Sequence, residues 1–216
     1  MSFLKENKLQ AFIFCFAFLL FANTLNHDYA WDDSIVITEN PTVKKGFKGI
    51  PELFIKSNSD YKADKYGYRP ITLTSFAIEY AIFGQNPKAG HFFNVICFSL
   101  LCVLIYTVLS KIFSSYSNLL PFVATLLFIV HPIHCEVVAN IKSRDEIFAF
   151  LFSLLSLHSM IKFADNKKIK YLLYSVFLFI LAFLSKESAI VFFALIPLTL
   201  FYRQGFAQIK RIFVPI

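Results

Sequence analysis

Six long apolar runs divide the chain, and shorter polar stretches separate them. These runs cover residues 9–25, 91–113, 119–141, 147–163, 171–185 and 188–202. A helix needs about 20 residues to cross a hydrocarbon core of roughly 30 Å. The last two runs are interpreted as separate spans joined by a turn at Lys186 and Glu187, because one helix over both would be about 50 Å long. The pattern therefore predicts an all-α polytopic membrane bundle of about six transmembrane helices.

The longest polar stretch, residues 26–90, predicts a large loop between the first two spans. Two short helical patterns occur within it. The first follows Gly49, and Pro51 suits its first turn. The second begins at Pro70 and ends at Gly84, with apolar residues three or four positions apart. Both helices are expected to lie in the membrane interface.

The composition agrees with a membrane protein and directs attention to one face of the membrane. The chain is 57% hydrophobic and 16% charged, with a mean hydropathy of +0.61. If the N-terminus is inside, the inner segments hold ten Lys and Arg with two acids, and the outer segments hold eleven and twelve. The net charge of +7 is thus a positive-inside signal, and no nucleic acid partner is expected. The acid-rich outer face is where chemistry is expected.

The first apolar run and the amino-acid usage bear on location. Residues 11–22 have the length of a signal-peptide core, but no good small-residue cleavage site follows, so an uncleaved anchor is preferred. The 28 Phe, with abundant Lys, Ile and Asn, indicate AT-rich coding and a bacterial source. We expect an integral, multi-pass protein of the bacterial inner membrane, or of the endoplasmic reticulum membrane if the source is eukaryotic.

Asp32 and Asp33 follow the first span directly and open the large loop. Paired carboxylates at a membrane surface can hold a divalent cation or remove a hydroxyl proton. The spacing alone is equally compatible with a solvated turn or a helix N-cap at Asp33 or Ser34. Trp31, beside them, is typical of an interfacial anchor.

A second polar island lies towards the end of the third run. It places His131, His134 and Cys135 on one helical face, with Glu136 next in sequence. Such a face is compatible with a divalent metal, but no complete ligand set is visible in the sequence. Hydrogen bonds from this island to a polar substrate or to the large loop are preferred. Pro132 is expected to kink or end the helix.

Two cationic islands complete the polar inventory. One is the turn 142–146, with Lys142 and Arg144, and the other is the pair Lys186 and Glu187 between the last two runs. Cations at the outer membrane face suit a lipid phosphate, which arginine can bind through two parallel hydrogen bonds. The alternatives are a salt-bridged turn at the first island and a snorkelling turn at the second.

In their order and their residues, these islands resemble the motifs of the transmembrane and tetratricopeptide-repeat-containing O-mannosyltransferases and their bacterial relatives. The matching stretches are WDD at 31–33, YRPITLTSFAIEYAIFGQNP at 68–87, HFFN at 91–94, HPIHCEVVANIKSRDE at 131–146 and LSKESAI at 184–190. The resemblance covers nearly the whole chain. Its most specific part is the HPIH motif, with its following glutamate and arginine, joined to the upstream WDD and YRP.

The resemblance implies a GT-C-type glycosyltransferase. Such an enzyme takes a mannose-like sugar from a polyprenyl-phosphate carrier and passes it to an acceptor outside the cytoplasm, in this case expected to be a protein hydroxyl. Residues 1–216 would be the N-terminal transmembrane portion, with 26–90 as its large extracytoplasmic loop. The family usually continues with further spans and tetratricopeptide repeats. No nucleotide-binding glycine motif appears, which agrees with a lipid-linked donor.

The resemblance also assigns roles to individual residues. Asp32 and Asp33 match the family's acidic motif, and one of them is expected to be the general base. Arg144 and Lys186 match cationic positions near the lipid phosphate. The full set expected to bind substrate or shape its cavity is Arg69, His131, His134, Glu136, Arg144, Lys186 and Glu187.

Two other classes of function stay open at the level of sequence. One is a non-catalytic membrane scaffold, or a truncated module that acts with a repeat domain. The other is a transporter whose outer vestibule carries these charges. Inverted repeats would favour a transporter, and no internal repeat is visible in the sequence.

Overall fold

The computed structural model describes residues 2–55, 67–117 and 119–204, and in these ranges it contains helices and turns but no strand. The expected all-α class is therefore confirmed. Nine α-helices occur in the described ranges. They are α1 (Ser2–Phe21), α2 (Ile50–Ile55), α3 (Pro70–Phe83), α4 (Pro87–Ile112), α5 (Leu119–Val130), α6 (His134–Ala139), α7 (Arg144–Asn166), α8 (Ile169–Ser185) and α9 (Val191–Gln204).

Short tight turns of helix connect the longer elements. Those in the described part of the chain include the π-helical turn Ser34–Thr38 and the 3₁₀ segments Ala22–Asn26, Val43–Gly49, Ile141–Ser143 and Glu187–Ile190. The last of these, with extended Lys186 before it, separates α8 from α9 at the position where the sequence predicts a turn.

Three segments of the described chain are long and apolar enough to cross a membrane. They are Asn7–Asn26, Pro87–Ile112 and Ile141–Asn166. The apolar helices α5 and α8 are shorter, at 12 and 17 residues, so the count of six spans stays a prediction.

Proline and asparagine set several helix ends. Pro70 and Pro87 stand at the starts of α3 and α4, where a missing N–H costs nothing. Asn86 caps α4 by accepting a hydrogen bond from the Lys88 amide at 3.1 Å. Pro132 lies between the end of α5 at Val130 and the start of α6. The expectation that Pro132 kinks or ends the helix of the third apolar run is confirmed, because α5 ends two residues before it.

The main core lies between α1, α4, α5 and α7, and is built from aliphatic and aromatic side chains. Fully buried members include Ile13 on α1, Val95 and Cys102 on α4, and Ile161 on α7. Polar pairs also join helices within it. Gln10 donates to Thr107 at 3.1 Å, and the Ser156 and Ser175 hydroxyls join α7 to α8.

The large loop has a core of its own that packs on the turn before α7. Val36, Val43, Leu53 and Phe76 are buried together with Ile141. The two helices predicted in this loop are present as α2 and α3. Because the loop core includes Ile141, the segment after α1 is held against the 140–146 turn, and this contact positions the polar residues of both.

Candidate active site

Asp33 is fully buried, at 0% exposure, and it ties the large loop to the turn before α7. Its Oδ1 accepts a hydrogen bond from the Lys142 amide at 2.7 Å, and its Oδ2 accepts one from the Ala30 amide at 2.8 Å. The side chain makes no N-cap hydrogen bond to the following π-helical turn. Burial raises the pKa of Asp33, while the two amide donors oppose that shift.

Asp32 differs from its neighbour because its side chain remains 45% exposed. Its Oδ2 lies 2.9 Å from Lys142 Nζ. Lys142 therefore holds both aspartates, one through its backbone amide and the other through its ammonium group. The structure brings the predicted acid pair together with the turn 142–146, although these parts are over 100 residues apart in sequence.

Arg144 is buried at 2% exposure and its guanidinium is surrounded by protein groups. It forms an ion pair with Glu79 Oε2 at 2.8 Å. Its other donors reach Asn94 Oδ1 at 2.7 Å, the Gly90 carbonyl at 3.0 Å and Ser75 Oγ at 3.2 Å. Arg144 thus joins α7 to α3 and α4. Burial raises the pKa of Glu79, and the nearby arginine opposes the shift.

A third group of charges surrounds Asp145 and Glu146. Arg69 pairs with Asp145, and its Nη2 lies 3.4 Å from Glu187 Oε1. Lys186 pairs with Glu146 and lies 3.8 Å from Asp145 Oδ2. The structure therefore brings together three predicted site residues, namely Arg69, Lys186 and Glu187. The side chain of Glu187 is largely exposed, and a hydrogen bond from its own amide lowers its pKa, with Arg69 adding to the effect.

The short segment 140–146 thus contacts three different parts of the protein. Lys142 binds the aspartates of the loop, Arg144 binds α3 and α4, and Asp145 with Glu146 binds Arg69 and Lys186. Asn140 shapes the segment, since its side chain accepts from the Lys142 amide at 3.2 Å. This arrangement makes the segment the centre of the polar site.

The residues of the HPIH motif lie at the break between α5 and α6. His131 is exposed, and its Nδ1 accepts from the Ile133 amide at 3.2 Å. His134 is half-buried, with its ring 4.1 Å from the ring of Phe128. Glu136 is exposed. Within the described ranges, no group of three or more His, Cys, Asp or Glu residues could hold a metal ion.

An apolar cavity of about 330 Å³ lies between α4, α5, α6, α7, α9 and the 3₁₀ segment Glu187–Ile190, next to the charged groups. Aromatic rings form much of its wall, and its polar lining comes from His134, Glu146, Ser153 and Ser188. Because Glu146 also pairs with Lys186, the cavity reaches the cationic group. The wall is thus mainly apolar, and the lining residue Glu146 connects it to the cation Lys186.

Five residues that make these contacts are absent from the expected site residues, namely Glu79, Asn94, Lys142, Asp145 and Glu146. A signal existed for Glu79, because it follows Thr72 and Phe76 at helical spacing and so shares their buried face. Lys142 is one of the cations noted in the turn 142–146, but no sequence signal predicts its contact with Asp33, because that contact joins a backbone amide to a distant carboxylate.

The chain is similar in sequence to known protein mannosyltransferases. Residues 70–212 match the family model described as dolichyl-phosphate-mannose-protein mannosyltransferase. Protein O-mannosyl-transferase TMTC2 of Homo sapiens is 32% identical over 163 residues, which cover 68% of this chain and 18% of that protein. Protein O-mannosyl-transferase F38B6.6 of Caenorhabditis elegans is 31% identical over 182 residues, covering 79% of this chain and 25% of that protein.

A third relative gives the same result. Protein O-mannosyl-transferase TMTC1 of Mus musculus is 33% identical over 191 residues, covering 81% of this chain and 20% of that protein. The chain therefore spans only about a fifth to a quarter of the length of these curated relatives. No solved structure matches the chain.

Proposed function

The chain belongs to the dolichyl-phosphate-mannose-protein mannosyltransferase family, and from this premise we propose that it forms part of a membrane glycosyltransferase. The enzyme would move a mannose-like sugar from a polyprenyl-phosphate carrier to a protein hydroxyl on the extracytoplasmic side. The observation that carries the proposal is the double contact of Lys142, which fixes an exposed and a buried aspartate beside a cationic group and an apolar cavity.

Asp32 is the better candidate for the general base. A base must approach the acceptor hydroxyl closely, and the Asp32 side chain is accessible whereas that of Asp33 is enclosed. In the proposed step, Asp32 takes the hydroxyl proton and the hydroxyl oxygen bonds to the anomeric carbon. The bond from that carbon to the phosphate oxygen breaks, and the polyprenyl phosphate leaves with its electron pair. Asp33 is then a positioning residue for the loop.

Lys186 and Arg69 are proposed to hold the donor phosphate. Lys186 pairs with Glu146, which lines the apolar cavity, and Arg69 pairs with the adjacent Asp145. Glu146 and Glu187 are partly exposed, so a phosphate can compete with them for these cations. A held phosphate is a better leaving group because its developing charge is offset.

The apolar cavity is proposed to take the first isoprenoid units of the carrier. Its walls come largely from phenylalanine and aliphatic side chains, which suit a hydrocarbon chain. His134 lies in its lining, and we assign His131, His134 and Glu136 to the substrate side of the α5–α6 break. The sequence-based assignment of Arg144 to the phosphate stays a prediction. Its contacts favour a positioning role, because Glu79, Asn94, Gly90 and Ser75 already bind its guanidinium.

The proposal is tested by sugar transfer from a radiolabelled mannosyl-phospho-polyprenol to peptides that contain serine and threonine. The protein is reconstituted in vesicles. Asp32→Asn should lower the rate by about 10²–10⁴, the usual effect of losing a positioned base. The matched control is Asp28→Asn, because Asp28 is an exposed aspartate of the same loop. Transfer by Asp32→Asn at the control's rate would exclude Asp32 as the base.

A further inference from the structure

The 3₁₀ segment Val43–Gly49, with sequence VKKGFKG, forms a basic and aromatic projection on the large loop, which we call the basic knuckle. Phe47 stands 58% exposed between Lys45 and Lys48. Lys44 and Lys48 are also exposed, while Lys45 pairs with Glu52 at 2.6 Å. The knuckle therefore presents an aromatic ring and lysine side chains together on the surface of the loop.

The knuckle packs closely against α3 at Gly46. Gly46 has φ +60° and ψ −136°, a conformation that is almost restricted to glycine. A Cβ at this position would lie 2.9 Å from the Ala81 Cβ, so the two backbones are in close contact. The exposed Phe47 is therefore presented by a defined structure at a defined place on α3.

That place lies near the ends of two candidate membrane spans. One cavity of about 460 Å³ is lined by Asn26 after α1, Phe83 at the end of α3 and Asn86 before α4. The ends of the candidate spans Asn7–Asn26 and Pro87–Ile112 thus lie beside Phe83. Ala81 is two residues earlier in α3, or about 3 Å along the helix axis. The knuckle therefore packs on the part of α3 that lies next to these span ends.

The neighbouring surface of α3 has the same character. Ile78, Ile82 and Phe83 are exposed although α3 packs its other face on the loop core. An apolar stripe beside a basic segment is the composition of an interfacial element, in which apolar groups enter the acyl boundary and lysines meet headgroups.

We propose that the basic knuckle docks on the anionic phospholipid surface of the adjacent leaflet, with Phe47 inserted and Lys44 and Lys48 bound to headgroup phosphates. Charge complementarity favours this partner, because residues 43–55 hold three lysines and one glutamate. The contact would fix the height of the large loop, and with it Asp32, above the membrane.

The chain offers a direct test because it contains one tryptophan, Trp31. In a Trp31→Phe background, Phe47→Trp places a single reporter in the knuckle. The protein is inserted, one copy per nanodisc, in phosphatidylcholine with or without phosphatidylglycerol, and brominated phosphatidylcholine is used as a quencher. We expect blue-shifted emission that brominated lipid quenches, with stronger quenching when phosphatidylglycerol is present.

The lysines are tested in the same reporter. Lys44→Gln/Lys48→Gln should remove the dependence on phosphatidylglycerol, whereas the control Lys167→Gln/Lys168→Gln, in the turn after α7, should keep it. Emission typical of water without quenching in both lipids would overturn the proposal. Blue-shifted emission that brominated lipid does not quench would also overturn it, since the ring would then be covered by protein.

Discussion

At the scale of single residues, Asp32 and Asp33 show how adjacent side chains of one type acquire different roles. Asp32 keeps a partly exposed carboxylate near an ammonium group, which suits a group that must reach a substrate. Asp33 has both oxygens occupied by backbone amides and no exposed surface. Asp33 therefore has a structural role, because it fixes the loop on the 140–146 turn.

The burial of Asp33 predicts a defined pH dependence of stability. Its pKa in the folded protein is raised above the ordinary 3.8, so the folded state holds the proton more tightly than the unfolded state does. The contribution of Asp33 to stability is therefore complete below the ordinary pKa of 3.8, and it is lost as the pH rises through the raised pKa of the folded protein. Asp33→Asn cannot titrate. The advantage of wild type over Asp33→Asn in thermal unfolding should be largest at low pH and should shrink as the pH rises.

Detergent-solubilised wild type and Asp33→Asn can be compared by differential scanning fluorimetry from pH 3 upwards in about half-unit steps. Asp28→Asn serves as the control for removal of an exposed carboxylate. A gap between wild type and Asp33→Asn that widens with rising pH would show that folding favours the ionised form of Asp33, and a raised pKa would then be wrong.

Lys186 carries the second residue-scale prediction, which rests on the proposed function. Lys186→Gln should raise the apparent donor constant, because a charge-assisted hydrogen bond contributes roughly 1.5–3 kcal/mol. That corresponds to about a 10- to 150-fold loss of donor affinity. The measurement is transfer rate against donor concentration at saturating acceptor. Lys88→Gln, at the exposed start of α4, is the matched control.

The kinetic pattern separates the phosphate role from a structural one. Arg144→Lys keeps the charge but loses the planar donor set that meets Glu79, Asn94 and Gly90, so it should lower stability more than donor affinity.

If Lys186→Gln changed only the acceptor constant, Lys186 would be better interpreted as a residue of the α8–α9 turn.

At the scale of elements, the sequence predicts what local chemistry determines. The bounds of α3 follow from Pro70 and Gly84, and the break after α5 follows from Pro132. The contacts of Asp33 with Lys142 and of Arg144 with Glu79 were not predictable in the same way. They join positions 109 and 65 residues apart, and periodicity carries no information on which distant elements meet.

Two glycines allow the docking of the knuckle on α3 to be measured. Gly46 and Gly84 share nearly the same backbone conformation, with φ of 60° and 67° and ψ of −136° and −154°. A Cβ at Gly84 would meet nothing within 4 Å, whereas one at Gly46 would meet Ala81 Cβ at 2.9 Å. Gly84→Ala should therefore cost only backbone strain, about 1–3 kcal/mol. Gly46→Ala should cost that strain and a steric term as well.

Thermal unfolding gives the loss of stability of Gly46→Ala and of Gly84→Ala. The difference between these two losses is the steric cost at Gly46. Adding Ala81→Gly to Gly46→Ala should recover the steric part and leave the strain. Equal losses for Gly46→Ala and Gly84→Ala would mean that the knuckle does not pack closely on α3, and Phe47 would then lack a fixed position.

At the scale of the whole molecule, the charge asymmetry and the contacts point to one arrangement in the membrane. The positive-inside count predicts that the loop 26–90 and the turn 140–146 lie outside. Independently, the Asp33 carboxylate accepts from the Lys142 amide at 2.7 Å, so the two segments must lie on one side. The contact shows that the two segments share one side of the membrane, and the charge pattern predicts that this side is the outer one.

This arrangement predicts the labelling of three positions by a membrane-impermeant maleimide in intact cells. Lys48→Cys in the knuckle and the native Cys135, which is exposed on α6, should both react from outside. Lys167→Cys should react only after permeabilisation, because α7 has 23 residues and is about 35 Å long, enough to carry position 167 to the other face. Each thiol is tested with the other cysteines replaced by alanine. Labelling of Lys48→Cys without Cys135 would separate the loop from the α6 side and contradict the shared site, whereas labelling of Lys167→Cys in intact cells would mean that α7 does not cross the membrane.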